Sequence, residues 1–376
     1  MAVPDFLKIK STIAPFSITK KHTIIKAFEV TPTQSSANTF ISACRRQQTS
    51  HTPVWLMRQA GRYQAEYREL RSKVGFLELC HTPELAAKVT IDAANWLDTD
   101  AAILFADILL ILEPMGFDLE FVKGDGPAIH NPVRSGSDVD RVRDSETTEP
   151  LSYVYEAVKL IRRDLPKERD LIGFAGAPFT LACYAIEGGG SRHYDKAKTF
   201  MYQHPESFKI LMQKLTEATI GYLNAQIEAG ADVVQLFDSW VGNLSHRDYV
   251  AHVQPHMKRL FEGLKPGVPS IHFGTGTGHL LEAQRDAGGD VIGLDWRADL
   301  DQSWAMLGDK VAVQGNLDPI LLLSPWSEIE RQTKIILDQA ANRPGHIFNL
   351  GHGILPSTPP DNVRRLVDFV HEYSRR

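Results

Sequence analysis

The chain has 376 residues, 43% of them hydrophobic and 23% charged, with a formal net charge of -5 and three cysteines. That is enough apolar material for one large domain or two smaller ones, and the acidic balance excludes a protein that tracks a nucleic-acid backbone, which would carry a basic surface. Cys44, Cys80 and Cys183 are scattered and free of any CxxC spacing, so neither a disulfide framework nor a zinc ribbon is indicated, and a reducing, cytoplasmic compartment is expected.

Residues 1–40 read as a peripheral extension, with a plastid or other organelle transit segment, whose acid poverty they share, as the alternative. The first thirty carry Lys8, Lys10, Lys20, Lys21 and Lys26 against only Asp5 and Glu29, with no arginine and no secretory core; Pro4 and Pro15 oppose long helices there. No apolar stretch in the chain reaches the roughly 18 to 20 residues that span hydrocarbon, so no membrane association is expected. From residue 41 onward short apolar runs alternate with amphipathic stretches of helical period. The runs are PVWLM, AAILFAD, LIGFAG, DVVQLFD, VPSIHFG, VIGLDW, VAVQGN and HIFNLGHG; between them lie PELAAKVTIDAANWL, SFKILMQKLTEATIGYLNAQIEA, AHVQPHMKRL, GHLLEAQRDAG, EIERQTKIILDQAA and DNVRRLVDFVHEYSR. Eight buried strands, each with room for a helix after it, outline an α/β fold of the distorted (β/α)8 TIM barrel kind over residues 41–376, with a doubly wound open sheet as the alternative. The segment 113–150, rich in glycine, proline and mixed charge, reads as a strand-and-loop excursion rather than a crossover helix.

In a barrel the C-terminal strand ends face one cavity, and that face carries chemistry. Here those ends bear Arg58, Asp107, Thr180 and Tyr184, Asp238 and Ser239, Gly274, Asp295, Asn316 and His352. MRQAGRYQAEYRELR, directly after the first run, places Arg58, Arg62 and Arg71 close together. Guanidinium forks match carboxylate or phosphate and stay charged at neutral pH, so a small polyanion is the expected ligand. Arg58 and Arg62, four apart, would serve equally as a helix-surface pair, and Arg71 as a solvated charge. Asp107 is flanked by AILFA and ILLIL, where a carboxylate is costly without a partner, although a helix cap would also explain it. Tyr184 and Ser239 are weaker signals singly. His352 sits between two glycines in LGHGILP, which lets backbone approach a ligand.

Two motifs argue less than they first promise. HFGTGTGHLLEA follows a strand and opens a helix, with Asp295 21 residues after Gly274, but it lacks the GxGxxG spacing of a dinucleotide site and stands fifth in the alternation. HExxH and clustered Cys/His spacings are absent, as is a GxSxG elbow. Chemistry without metal or cofactor is the simplest expectation.

PVWLMRQAGRY, FADILL, GFAGAPFTLACYAIEGGGS, QLFDSWVG, QGNLDP and NLGHGILP resemble, in order, the corresponding segments of the uroporphyrinogen decarboxylases. The resemblance runs from about Pro53 to the C-terminus and implies a distorted (β/α)8 barrel, a homodimer, no cofactor, and a cyclic tetrapyrrole substrate, uroporphyrinogen, whose four acetates become methyl groups. It also implies roles: Arg58 and Arg62 as carboxylate-binding and catalytic arginines, with Gln59 beside them and Arg71 as an outer ligand; Asp107 as the carboxylate that takes the central pyrrole N–H donors; Tyr184, Ser239 and His352 as polar contacts to substrate side chains. Asp107, Arg58, Tyr184 and His352 form the expected catalytic set. A corrinoid-linked methyltransferase on the same barrel and a non-catalytic tetrapyrrole carrier are the rival readings.

Overall fold

The computed structural model describes residues 39–122, 126–144 and 149–376, and Ser35–Arg376 is one compact unit. The extension expected over residues 1–40 lies outside the described residues apart from Thr39 and Phe40, which open the helix Thr39–Cys44. In chain order the strands are β1 (Ala101–Ile103), β2 (Leu119–Val122), β3 (Gly126–Ile129), β4 (Asp170–Gly176), β5 (Val233–Asp238), β6 (Ser270–Gly274), β7 (Val291–Gly293), β8 (Ala312–Gln314) and β9 (His346–Ile347). Seven of them form one sheet in the order β1-β4-β5-β6-β7-β8-β9, every pair parallel. β2 and β3 are an antiparallel hairpin apart from that sheet, which is the excursion expected between residues 113 and 150.

The PVWLM run is what joins the two edges. Val54 bridges Phe348 in parallel, the Phe348 N–H donates to the Pro53 carbonyl at 2.8 Å, and the Asp100 N–H donates to the Val54 carbonyl at 2.9 Å. Residues 53–57 thus lie between β9 and β1 and close the barrel. The ladder there is irregular because side chains replace backbone partners: the Val54 N–H donates to the Asp100 carboxylate at 2.7 Å and the Met57 N–H to the Asn349 amide oxygen at 3.1 Å. With the Leu56 N–H on Gln59 Oε1 and the Trp55 N–H on the Phe348 carbonyl, the N–H groups of residues 54–57 are all satisfied.

Strand alternation divides the apolar residues into two layers. Trp55, Met57, Ala101, Ile172, Val233, Ile271, Phe273, Val291, Ala312 and Ile347 pack together with Phe40, while Val54, Leu56, Ile292, Val313 and Phe348 pack in a separate cluster with residues of the surrounding helices. The inner layer is not wholly apolar. Trp55 Nε1 donates to Gln314 Oε1 at 2.9 Å, and Gln314 Nε2 donates to Gln235 Oε1 at 3.1 Å, a chain of bonds across the barrel between fully buried residues.

The helix expected over 83–97 forms as Pro83–Leu97, with proline in its first turn and Asp98 in the left-handed conformation at its end. AHVQPHMKRL, expected as one helix, divides at Val253 into His246–His252 and Gln254–Gly263. Pro255 lacks an N–H and disfavours helix in the residue before it, so it can stand only in the first turn of the second helix.

Candidate active site

The first strand delivers Arg58 in an unusual conformation, with φ at +63°. Such geometry costs a non-glycine residue on the order of 1 to 2 kcal/mol and persists only where neighbours enforce it. Gln59 is the enforcing residue. It is buried, its Oε1 accepts from the Leu56 N–H at 3.2 Å, its Nε2 donates to the Ala101 carbonyl at 3.1 Å, and its own carbonyl accepts from Tyr63 Oη at 2.7 Å. Gln59, expected as a substrate contact, is buried with its amide oxygen and nitrogen each bonded to backbone of the protein. The exposed Arg58 side chain passes over Gly353, where an added Cβ would lie 2.5 Å from Arg58 Cδ. The glycine of LGHG is thus a seat for the arginine.

Arg62 is exposed, with its carbonyl tied to Arg68 Nη1 at 2.9 Å. Arg71 is half-buried, bonds the Val74 carbonyl and lies 5.4 Å from the Phe76 ring centroid. It lowers the proton affinity of both Tyr67 and Cys80, and Cys80 in turn feels Asp107, so Arg71 sits on the flank of the same region rather than beside Arg58.

Asp107 lies four residues beyond β1, where the chain turns into the short helix Leu110–Leu112. Its Oδ1 accepts from the Leu109 N–H at 2.9 Å, a bond that closes the turn into the helix, whose N-cap is Leu109 and carries no side-chain cap. The charge is nevertheless poorly compensated: burial pushes the carboxyl up to about 6, against the pull of the Leu109 amide and the Arg58 guanidinium. Arg58 and Asp107 therefore act on each other electrostatically without forming an ion pair. Tyr184 experiences both of them, and burial raises its hydroxyl above the ordinary phenol range. The helix Pro178–Glu187 carries Tyr184, whose ring stands 5.6 Å from Trp240, which in turn packs 4.9 Å from Tyr194.

At the end of β5 the two polar residues part company. Ser239 is half-buried, whereas Asp238 is fully buried, accepts from Thr180 Oγ1 at 2.9 Å, and is pushed up to about 7 by burial. Thr180 Oγ1 also accepts from the Trp240 N–H at 3.3 Å. Asp238 is thus a support beneath the strand end, fixing the helix that bears Tyr184 and the turn that bears Ser239 and Trp240.

His352 is half-buried, and burial together with the Arg58 and Arg297 charges lowers it to about 4, so it is neutral at physiological pH. Its ring meets Trp296 edge-on at 6.3 Å. Arg297, absent from the expected set, stacks 4.0 Å over Trp296 and pairs with Asp295. The sequence signal for it was present: a cation two residues after the polar end of β7. Asp295 also accepts from the Gly276 N–H at 2.5 Å, so the GTGTG turn, with Gly276 at φ +71°, spends its amide on this carboxylate.

Arg58, Asp107, Tyr184 and His352 are thus electrically coupled across four separate strand ends, with Arg58 common to all. A closed parallel barrel whose C-terminal strand ends gather cations, carboxylates pushed up by burial and neutral hydrogen-bonding groups defines an enzyme of the (β/α)8 class that takes an anionic organic substrate. The sequence profile described as uroporphyrinogen decarboxylase matches residues 35–373. The uroporphyrinogen decarboxylase of Sorangium cellulosum is 57% identical over 337 residues, covering 89% of this chain and 96% of that one; that of a Roseiflexus species is 54% identical, covering 89% and 98%. The chain belongs to the uroporphyrinogen decarboxylase family. Among solved structures, a methyltransferase from Methanosarcina mazei superposes with a TM-score of 0.74 at 21% identity, over 88% of this chain and 97% of that one, a likeness of fold.

Proposed function

We propose that the protein is a carboxy-lyase that removes the four acetate carboxyl groups of uroporphyrinogen III, giving coproporphyrinogen III and four CO2. The observation that carries this reading is the half-buried, under-compensated Asp107 in the field of Arg58, in a chain more than half identical, over nearly its whole length, to uroporphyrinogen decarboxylases.

Loss of CO2 from an acetate leaves an electron pair that needs a sink, and a pyrrole protonated at its α-carbon supplies one; the substrate thereby replaces a cofactor. Asp107, anionic against the central pyrrole N–H groups, stabilises the positive charge that develops on the ring. Such a preorganised charge in a water-poor site contributes several kcal/mol. The same carboxylate favours the reduced porphyrinogen, whose pyrroles all carry hydrogens. Arg58 and Arg62 anchor substrate carboxylates, with Arg71 as an outer ligand, and Arg58 or an ordered water returns the proton. Tyr184, Ser239 and neutral His352 donate to or orient the acetate and propionate groups. Gln59 acts through Arg58, holding the turn that presents it. Four successive reactions need only a rotation of the substrate, because its rings are chemically alike.

A homodimer and a cytoplasmic location complete the reading. Among the described residues no helix is long and apolar enough to cross a membrane, and the three cysteines are buried free thiols. Anaerobic incubation with uroporphyrinogen, followed by mass spectrometry, tests the activity: successive losses of CO2 are expected, and binding without product would instead identify a tetrapyrrole carrier.

A further inference from the structure

At the end of the barrel opposite the arginines, three residues distant in sequence converge. His51 precedes the first strand, Asp100 precedes β1, and His371 lies in the last helix, Pro360–Tyr373. His51 Nε2 is 2.9 Å from Asp100 Oδ1, and His371 Nε2 is 2.8 Å from Asp100 Oδ2. The ligand-capable atoms of the three all lie within 4.8 Å of one another, and the two imidazoles meet edge to face at 4.7 Å. We propose that His51, Asp100 and His371 form a binding site for a divalent transition metal of the zinc class, placed on the seam where the barrel closes.

Three features favour a metal over a merely satisfied cluster. Two imidazoles and a carboxylate are the donor set that borderline cations such as Zn2+ prefer. The outer contacts are in place: Asp100 Oδ2 accepts from the Val54 N–H at 2.7 Å, and His51 Nδ1 lies 3.0 Å from Ser50 Oγ, which fixes the ring so that Nε2 faces the carboxylate. The side chains of His51 and His371 are 14% and 23% exposed against 4% for Asp100, so the imidazole side opens to solvent and leaves room for a fourth ligand from water. Asp98 and Asp368 also act on His371, adding a field that attracts a cation.

In a tetrahedral site with bonds of about 2.0 to 2.2 Å, ligand atoms stand roughly 3.3 Å apart, so the two imidazole–carboxylate separations need widen by only a few tenths of an ångström, and the imidazole nitrogens, within 4.8 Å of one another, adjust by side-chain rotation. The exchange balances. A neutral imidazole that hands Nε2 to the metal moves its hydrogen to Nδ1, where Ser50 Oγ accepts it at His51, and a protonated imidazole releases one proton to solvent.

The test uses the full chain, stripped with a chelator and titrated with Zn2+ against a chromophoric competitor. One equivalent is expected to bind, with a rise in the thermal midpoint. His51→Gln and His371→Gln should each weaken binding by at least about tenfold and abolish the thermal response while leaving decarboxylation intact, and His352→Gln, at the other end of the barrel, should bind as the wild type does. Absence of stoichiometric binding at micromolar zinc, or binding indifferent to His51→Gln in a protein whose circular dichroism is unchanged, overturns the proposal. His51 is peripheral enough that its variant decides the matter even if His371→Gln fails to fold.

Discussion

Replacing Asp107 by Asn separates the charge of this residue from its turn bond, because the amide oxygen can still accept from the Leu109 N–H. The sign of the stability change follows from the carboxyl's displacement. Its folded value of about 6 lies above the ordinary 3.8, so ionisation is harder in the folded protein than in the unfolded chain. The penalty is absent below the unfolded value, grows as pH rises between the two, and is complete above about 6, where it amounts to about 3 kcal/mol. Asp107→Asn should therefore be more stable than the wild type at pH 7.5, by up to about 3 kcal/mol, and nearly equal to it at pH 4. Turnover should fall on the order of 10²- to 10³-fold, the usual cost of removing one preorganised group that stabilises a transition state. Urea unfolding at the two pH values, with anaerobic turnover on the same preparations, measures both. A variant that is less stable at pH 7.5, or one that keeps wild-type turnover, would refute the claim that this charge is held under strain for catalysis.

The dependence of kcat/KM on pH should show activity lost as pH falls through about 6, because Asp107 must be ionised. His352 titrates near 4, so His352→Gln should lower activity while leaving that limb in place. Gly353→Ala drives a methyl group against Arg58 Cδ and should reduce kcat/KM by up to about a hundredfold through displacement of the guanidinium, with the melting transition still cooperative. Gln59→Leu strands the Leu56 N–H at about 1 to 3 kcal/mol, while the Ala101 carbonyl keeps its bond from Thr99 Oγ1, so stability measured by denaturant should suffer more than KM.

Much of the barrel was legible because a buried parallel strand is a short apolar run, and all eight runs are strands or strand-like. The least regular is also the one that closes the ring. PVWLM is apolar enough to read as a strand, but nothing in it reveals that its amides bond to the side chains of Asp100 and Asn349, because those partners come from elsewhere in the chain. The division at Val253 was legible in Pro255 and was outweighed by the helical period on either side of it.

The site was legible where a polar residue ends a strand, and illegible where direction matters. Arg58 and Gln59 are adjacent and both polar, yet one is exposed and the other is 1% exposed with its amide fully engaged, and only the turn geometry distinguishes them. Arg297 stands outside the expected set because its partner, the Trp296 face, is a feature of three-dimensional packing. The His51, Asp100 and His371 cluster was hidden for a further reason: its members are 49 and 271 residues from Asp100, and no spacing rule connects positions that meet only when the first strand, β1 and the last helix come together. Ring closure joins distant segments at both ends of the barrel. At one end it brings Arg58 to Gly353 and His352, and at the other it brings His51 to His371. The same event that assembles the candidate active site therefore assembles the His51, Asp100 and His371 cluster, and loss of either closure contact should be felt at the opposite end as a fall in stability before any change in chemistry.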